Sequence, residues 1–274
     1  MSKLVNIFKQ YKRELSWIYL FMLLAEMSFL ATPFLLGKTI DGLIAGNWYW
    51  LILLGISYAI SNFFFYKRMI YDTKIYTTIY NDIALTFLKK DNVDVSTKIA
   101  RTDMAHDIVG VLEGHVHYYV ATIITIIGSL IFIYTENWRV GVLVSIATFF
   151  VTGAVFILYK KIKQAITVRN DHHEKKATAI ENGYLSAESF FLRRRRIEIY
   201  DSTIQGKNWF LANSVKYIFL LISIVLLVTT TKNITIGSVI TVYSYVNNFL
   251  IALMSAPIIV EMCLRMTDIL KRID

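Results

Sequence analysis

What this chain of 274 residues lacks narrows its class before any motif is considered. It has a single cysteine, Cys263, so no disulfide can form within it and no cysteine pair can hold a structural metal. It has two prolines, which leaves long stretches free of helix breakers, and only 18% charged residues, too few for the solvated surface of an ordinary soluble domain. No G-x-x-x-x-G-K-S/T loop occurs in it, so the phosphate cradle of that motif is missing. No small-residue cleavage site follows the first apolar run, about twenty residues long, so that run is expected to stay in place rather than be removed as a signal.

What is present is apolar: 55% hydrophobic residues, 14% aromatic, and a mean hydropathy of +0.50. A window of about nineteen residues, enough to cross roughly 30 Å of hydrocarbon, selects six spans at 17–37, 48–66, 118–135, 140–159, 215–231 and 237–260. They pair through short connections at 38–47, 136–139 and 232–236, while spans two and three, and four and five, are joined by about fifty residues each. Of the 29 Lys and Arg residues, only Lys38, Arg139 and Lys232 fall in the short connections, and Lys216 opens span five, where it can snorkel. All the others lie in the N-terminus, the long connections and the C-terminal tail, so the positive-inside rule places those parts and both termini in the cytoplasm. An integral, multi-pass location in the plasma or inner membrane follows. The net charge of +9 thus belongs to membrane topology and does not point to nucleic acid. Trp17, Trp48, Trp50, Trp138 and Trp209 fall at or near span ends, as an aromatic belt requires.

Before span one, Leu4, Ile7, Phe8, Tyr11 and Leu15 share a helical face while Lys3, Lys9, Lys12 and Arg13 lie largely elsewhere. This predicts an elbow helix over 1–15, lying in the headgroup layer. The long connections, 67–115 and 160–213, have no proline and little glycine and are expected to be helical. If the spans run on into them, each arm of about 24 residues projects roughly 35 Å at 1.5 Å per residue. The fold expected is all-α, a single domain over 1–274 with six spans, two long cytoplasmic hairpins, the elbow and a tail at 261–274.

Local strings carry a resemblance. Span one holds Pro33, Gly37, Ile40 and Asp41 in TPFLLGKTIDGLI; the first long connection holds TKIARTDMAHD, residues 97–107, with Arg101 and Asp103 as the matching positions; Asn137, Trp138 and Arg139 precede span four; ITIGSV, 234–239, leads into span six and TDILKRID, 267–274, follows it. In order and spacing these resemble the transmembrane domain of exporter-type ATP-binding cassette (ABC) transporters, over nearly the whole chain. The family's Ser-Gly-Gly-Gln signature and its apolar run ending in Asp-Glu do not occur, and Arg193, Arg194, Arg195 and Arg196 stand where the family usually turns with glycine. The resemblance therefore implies a membrane subunit that does not hydrolyse ATP and has no cofactor of its own. A nucleotide-binding ATPase subunit would supply ATP and magnesium, docking near 93–103 and 168–175 with Val93, Asp94, Lys98, Arg101, Asp103, Asp171, His172 and His173 as coupling residues. It also implies a second copy or a homologous half to complete the path. Alternatives are a piece of a longer chain, a proton-coupled secondary transporter of the same fold working through Glu26, and a regulatory membrane protein without transport.

Candidate path residues follow from polarity inside the spans. Glu26 sits mid-span, where a charge costs about 2.5 to 3.5 kcal/mol on insertion scales, so it should face the bundle interior or a water-filled path. Its bland role would be to tie span one to a neighbour such as Asn62. In span six Ser238, Thr241, Tyr245, Asn248, Ala252 and Ser255 recur at steps of three and four. They form either a helix-packing face or the lining of a path, with Asn248 the most discriminating member. Glu261, near the inner end of span six, is closer to the headgroups. Pro33 predicts a kink near the outer end of span one. His106, His115, His117, His172 and His173 do not make a metal site, because His115 and His117, two apart on a helix, point in different directions. The basic run 193–196 is a solvated face or a contact for anionic lipid or an acidic partner.

Overall fold

The structure, a computed structural model, describes residues 9–89, 117–150 and 183–255, with single positions such as Val109 and Glu113 between them. Six helices account for the chain among the described residues: α1, Lys12–Ile44; α2, Tyr49–Leu88; α3, His117–Glu136; α4, Trp138–Phe150; α5, Tyr184–Thr230; and α6, Ile236–Met254. Five of them are long and apolar enough to cross a membrane, and α4 is an apolar helix of lesser described length. The order agrees with the six expected spans.

Two helices greatly exceed the bilayer. With 40 residues α2 is about 60 Å long, and with 47 residues α5 is about 70 Å, against roughly 30 Å of hydrocarbon. Spans two and five therefore run on unbroken into the long connections, as the absence of proline there predicts. At its start α1 reaches back to Lys12 without a break, so Leu15 belongs to the first turn of span one; Tyr11 is a turn, and residues 1–8 of the expected elbow lie outside the described residues. Pro33 sits within α1.

The turns are built locally. Gly46, at φ 76°, closes the α1–α2 connection in a left-handed conformation that a side chain would resist. Asn137 joins α3 to α4: its side-chain oxygen accepts from the backbone N–H of Arg139 (3.0 Å), and its amide donates to Thr230 and Thr231 (2.9 and 3.1 Å) at the end of α5. Two of the three short connections are thereby tethered to each other. At the start of α6, Thr235 and Ser238 form a reciprocal capping box, each hydroxyl oxygen accepting from the other residue's backbone N–H at 3.1 Å.

The core lies around α6. Leu30 of α1, Ile133 of α3, Val140, Val144 and Ala147 of α4, and Leu220 and Leu227 of α5 pack on Val242, Tyr245, Val246, Phe249, Leu250 and Leu253. Half of the apolar window of α6 is buried against 6% for α2, which leaves most of span two free to face lipid or another chain. A second cluster, Ile18 with Ile75, Tyr76, Ile79, Ile83 and Val109, fastens the start of α1 to the far half of α2. There the Tyr11 hydroxyl donates to the Asp82 carboxylate, and that bond, with some burial, pushes the phenol up to about 12.

Candidate functional site

Span six packs against span one along a ladder that descends from the short-connection end. At the top, Asp41 of α1 accepts from Thr235 Oγ1 (2.6 Å) and from the backbone N–H of Gly237 (2.8 Å), so a carboxylate caps the first turn of α6. This is where the helix dipole favours negative charge and the N–H groups lack partners within the helix. One turn along, Gly37 and Gly237 bring the two backbones together. A Cβ on Gly37 would overlap Thr241 Oγ1 and the Gly237 carbonyl, and a Cβ on Gly237 would overlap the Gly37 carbonyl and the Asp41 carboxylate.

Below the glycines the hydroxyls of α6 serve the backbone of α1 around its proline. Thr241 donates to the Pro33 carbonyl (3.2 Å) and Tyr245 to the Leu30 carbonyl (2.8 Å). Both acceptors lie on the turn of α1 that carries its proline. The Tyr245 ring stacks on Phe132 of α3 with centroids 4.7 Å apart and planes at 5°. At the far end, Ser255 and the Tyr118 hydroxyl of α3 are 2.6 Å apart. Thr241, Tyr245 and Ser255 are all buried within the chain, and each hydroxyl is engaged with a neighbouring helix. Ser238 is spent on the cap.

The remaining path candidates are less enclosed. Glu26 and Asn248 are half-buried. Glu26 lies one turn past Leu30, and Asn248 lies about one turn past Tyr245 in the opposite chain direction, so the two sit at similar depth below the last rung. Asn62 is exposed and does not tie span two to span one. Its neighbour does that: Ser61 donates to the Ala25 carbonyl (3.3 Å), and Ser57 to that of Ser28 (3.0 Å). A step of one residue turns a helix by about 100°, which carries Asn62 off the contact face.

Sequence reasoning missed a charged group just beyond span two. Arg68 and Asp72, 8% and 7% exposed, approach at 3.6 Å one turn apart on α2. Burial pushes the Asp72 carboxyl up to about 6; the Arg68 charge opposes this and the Glu113 charge adds to it. Arg68 and Asp72 are spaced i, i+4, a signal that was legible, but counting Arg68 among the cytoplasmic bases hid its burial. The role of Asp41 was not legible at all, since its partners lie 194 and 196 positions away. Of the basic run, Arg194 pairs with Glu198 at 2.8 Å, while Arg193, Arg195 and Arg196 are exposed on α5. Arg196 is nineteen residues, about 28 Å of helix, from the expected start of span five.

The coupling candidates Val93, Asp94, Lys98, Arg101, Asp103, Asp171, His172 and His173 lie outside the described residues, as does Glu261. Among the described residues no group of His, Cys, Asp and Glu has the arrangement of a metal site.

Comparison with known families gives one finding: residues 4–254 match the model of a family described as ABC transporter transmembrane region. No curated protein matches the chain.

Proposed function

Because this chain belongs to the family of ABC transporter transmembrane regions, we propose that it forms half of a transporter's solute path, dimerises to complete that path, and is driven by a separately encoded ATPase subunit. Membership establishes a membrane subunit of an ABC-type transporter; the dimer, the partner and the placing of both termini in the cytoplasm are our extension. The observation that carries the proposal is the contrast along the α1–α6 contact. The short-connection end is sealed by Asp41 and the two glycines, while Glu26 and Asn248, deeper in, remain half-buried. With that end outward, the Asp41 cap is the gate, and the half-buried pair faces the path that two protomers enclose. No ligand need displace Thr241, Tyr245 or Ser255, whose bonds hold the wall together. Family members pair with nucleotide-binding subunits, and the long arms of α2 and α5 are levers of sufficient length to transmit such a partner's motion into the membrane.

The test is co-purification from native membranes with a nucleotide-binding protein, followed by transport in proteoliposomes. ATP-dependent flux supports the proposal. Flux driven by a pH gradient without ATP, lost in Glu26→Gln, would favour the proton-coupled alternative, for which the half-buried Glu26 carboxylate is the specific motive. Absence of flux with either energy source would leave the regulatory reading.

A further inference from the structure

The α1–α2 contact has a fixed register. Ser57 meets Ser28 and Ser61 meets Ala25, so continuing the antiparallel pairing sets Arg68 level with Ile18, two turns or about 12 Å along the axis from Glu26. Helical side chains lean toward the N-terminus of their own helix. Since α1 and α2 run in opposite directions, Glu26 and Arg68 lean toward each other. Yet the two do not close into a salt bridge among the described residues. Asp72, at 3.6 Å, is too far from Arg68 Nε for a hydrogen bond. Nε and Nη1 of this 8% exposed arginine are consequently buried with no hydrogen-bond partner, and so is Nδ1 of nearby His117. The Phe65 ring walls the guanidinium at 4.9 Å.

Opposite charges held apart in a low-dielectric site, with the cation's donors unfilled, favour something between them. A simple anion would fill the donors but meet the charges of Glu26 and Asp72. A simple cation would suit Glu26 but meet Arg68 and leave its donors empty. Glu113 is turned aside, near Thr73 Oγ1 at 3.4 Å on the exposed side. The geometry points to a zwitterion subsite: Arg68 Nε and Nη1 donate to the oxyanion of a bound molecule, and the Glu26 carboxylate accepts from its ammonium group. This rests on reading the chain as the wall of a solute path, and it names the class of molecule that path recognises. The same chemistry is offered by a free amino acid or peptide and by a phosphoethanolamine headgroup.

Binding is testable without ATP or a partner subunit, so its outcome is independent of whether ATP drives transport. The full chain is placed in nanodiscs of phosphatidylglycerol and its thermal midpoint is followed against dialanine. A rise that weakens at least about tenfold in apparent affinity with N-acetyl-dialanine and with dialanine amide supports the subsite and a soluble ligand. A higher midpoint in phosphatidylethanolamine discs, abolished by Arg68→Gln and with no further effect of dialanine, supports the subsite and a lipid ligand. If the blocked peptides bind as well as dialanine, or if neither dialanine nor phosphatidylethanolamine moves the midpoint, the inference is wrong. The blocked peptides act on the unaltered chain, so the comparison stands even where Arg68→Gln does not fold.

Discussion

The two halves of α1 treat polar groups on opposite terms. Toward its short-connection end, Asp41, Thr235, the Gly237 N–H, Thr241, Tyr245 and the carbonyls beside Pro33 satisfy one another across a contact so close that only glycine fits. Toward the other end, Glu26 faces an arginine it does not touch, and the arginine keeps two N–H groups unfilled. A membrane protein cannot leave buried polar groups unmade without cost. The first half therefore reads as structure and seal, the second as a place kept ready for something else.

The largest expected effect tests the sealed half. Gly237→Val puts three carbons where the Gly37 carbonyl and the Asp41 carboxylate already sit, and neither backbone can yield. We expect a loss of about 3 kcal/mol or more, read as failure to recover monodisperse protein or as a steep fall in thermal midpoint. A variant with near-native stability would show that the α1–α6 approach is looser than described. Next comes Asp41→Ala, which strips a charged cap from the N–H of Gly237 and from Thr235 and should cost about 1 to 2 kcal/mol in denaturant unfolding. Thr235→Ala, which removes the same bond from the other side and half the capping box, should not add its full effect to Asp41→Ala, because the two share a partner.

The fold was legible because its signal is local. Six apolar runs, short and long connections in alternation, and the siting of the bases can all be read within windows of twenty residues, and α2 and α5 continue as proline-free helices where expected. The site was legible only in part. Span six does carry a polar and small face, but the sequence cannot say what each hydroxyl meets. Thr241 and Tyr245 turn out to meet carbonyls of the proline-bearing turn of α1, more than 200 positions earlier. Ser61 instead of Asn62 meets α1, a difference of one residue in helical phase that periodicity does not resolve. Asp41, noted only as part of a string, proves to hold the start of α6.

The smaller predictions sharpen the contrast. Tyr245→Phe keeps the stack on Phe132 and removes one hydrogen bond, so it should cost only about 0.5 to 1.5 kcal/mol, measurable as a modest shift of the unfolding midpoint. In the unfilled half, Asp72 supplies a pH signature. Its folded value of about 6 stands above its ordinary 3.8, so burial favours the neutral carboxyl. The stability this contributes is complete below about pH 4 and is lost as pH rises through 6, on the order of 3 kcal/mol. Asp72→Asn should therefore flatten the decline in stability between pH 4 and 7, whatever its constant offset. An unchanged slope would mean that Asp72 is ionised throughout and fully balanced by Arg68.

The most direct test of the central claim, that this chain is the membrane half of an ATP-driven transporter, is recovery of its native complex. Mild extraction and affinity capture through a C-terminal tag should bring down a nucleotide-binding protein at one copy per chain, and its ATP hydrolysis should fall when it is stripped from the chain and recover on reassembly. Capture of the chain alone, together with solute flux that follows a proton gradient and ignores ATP, would contradict the account.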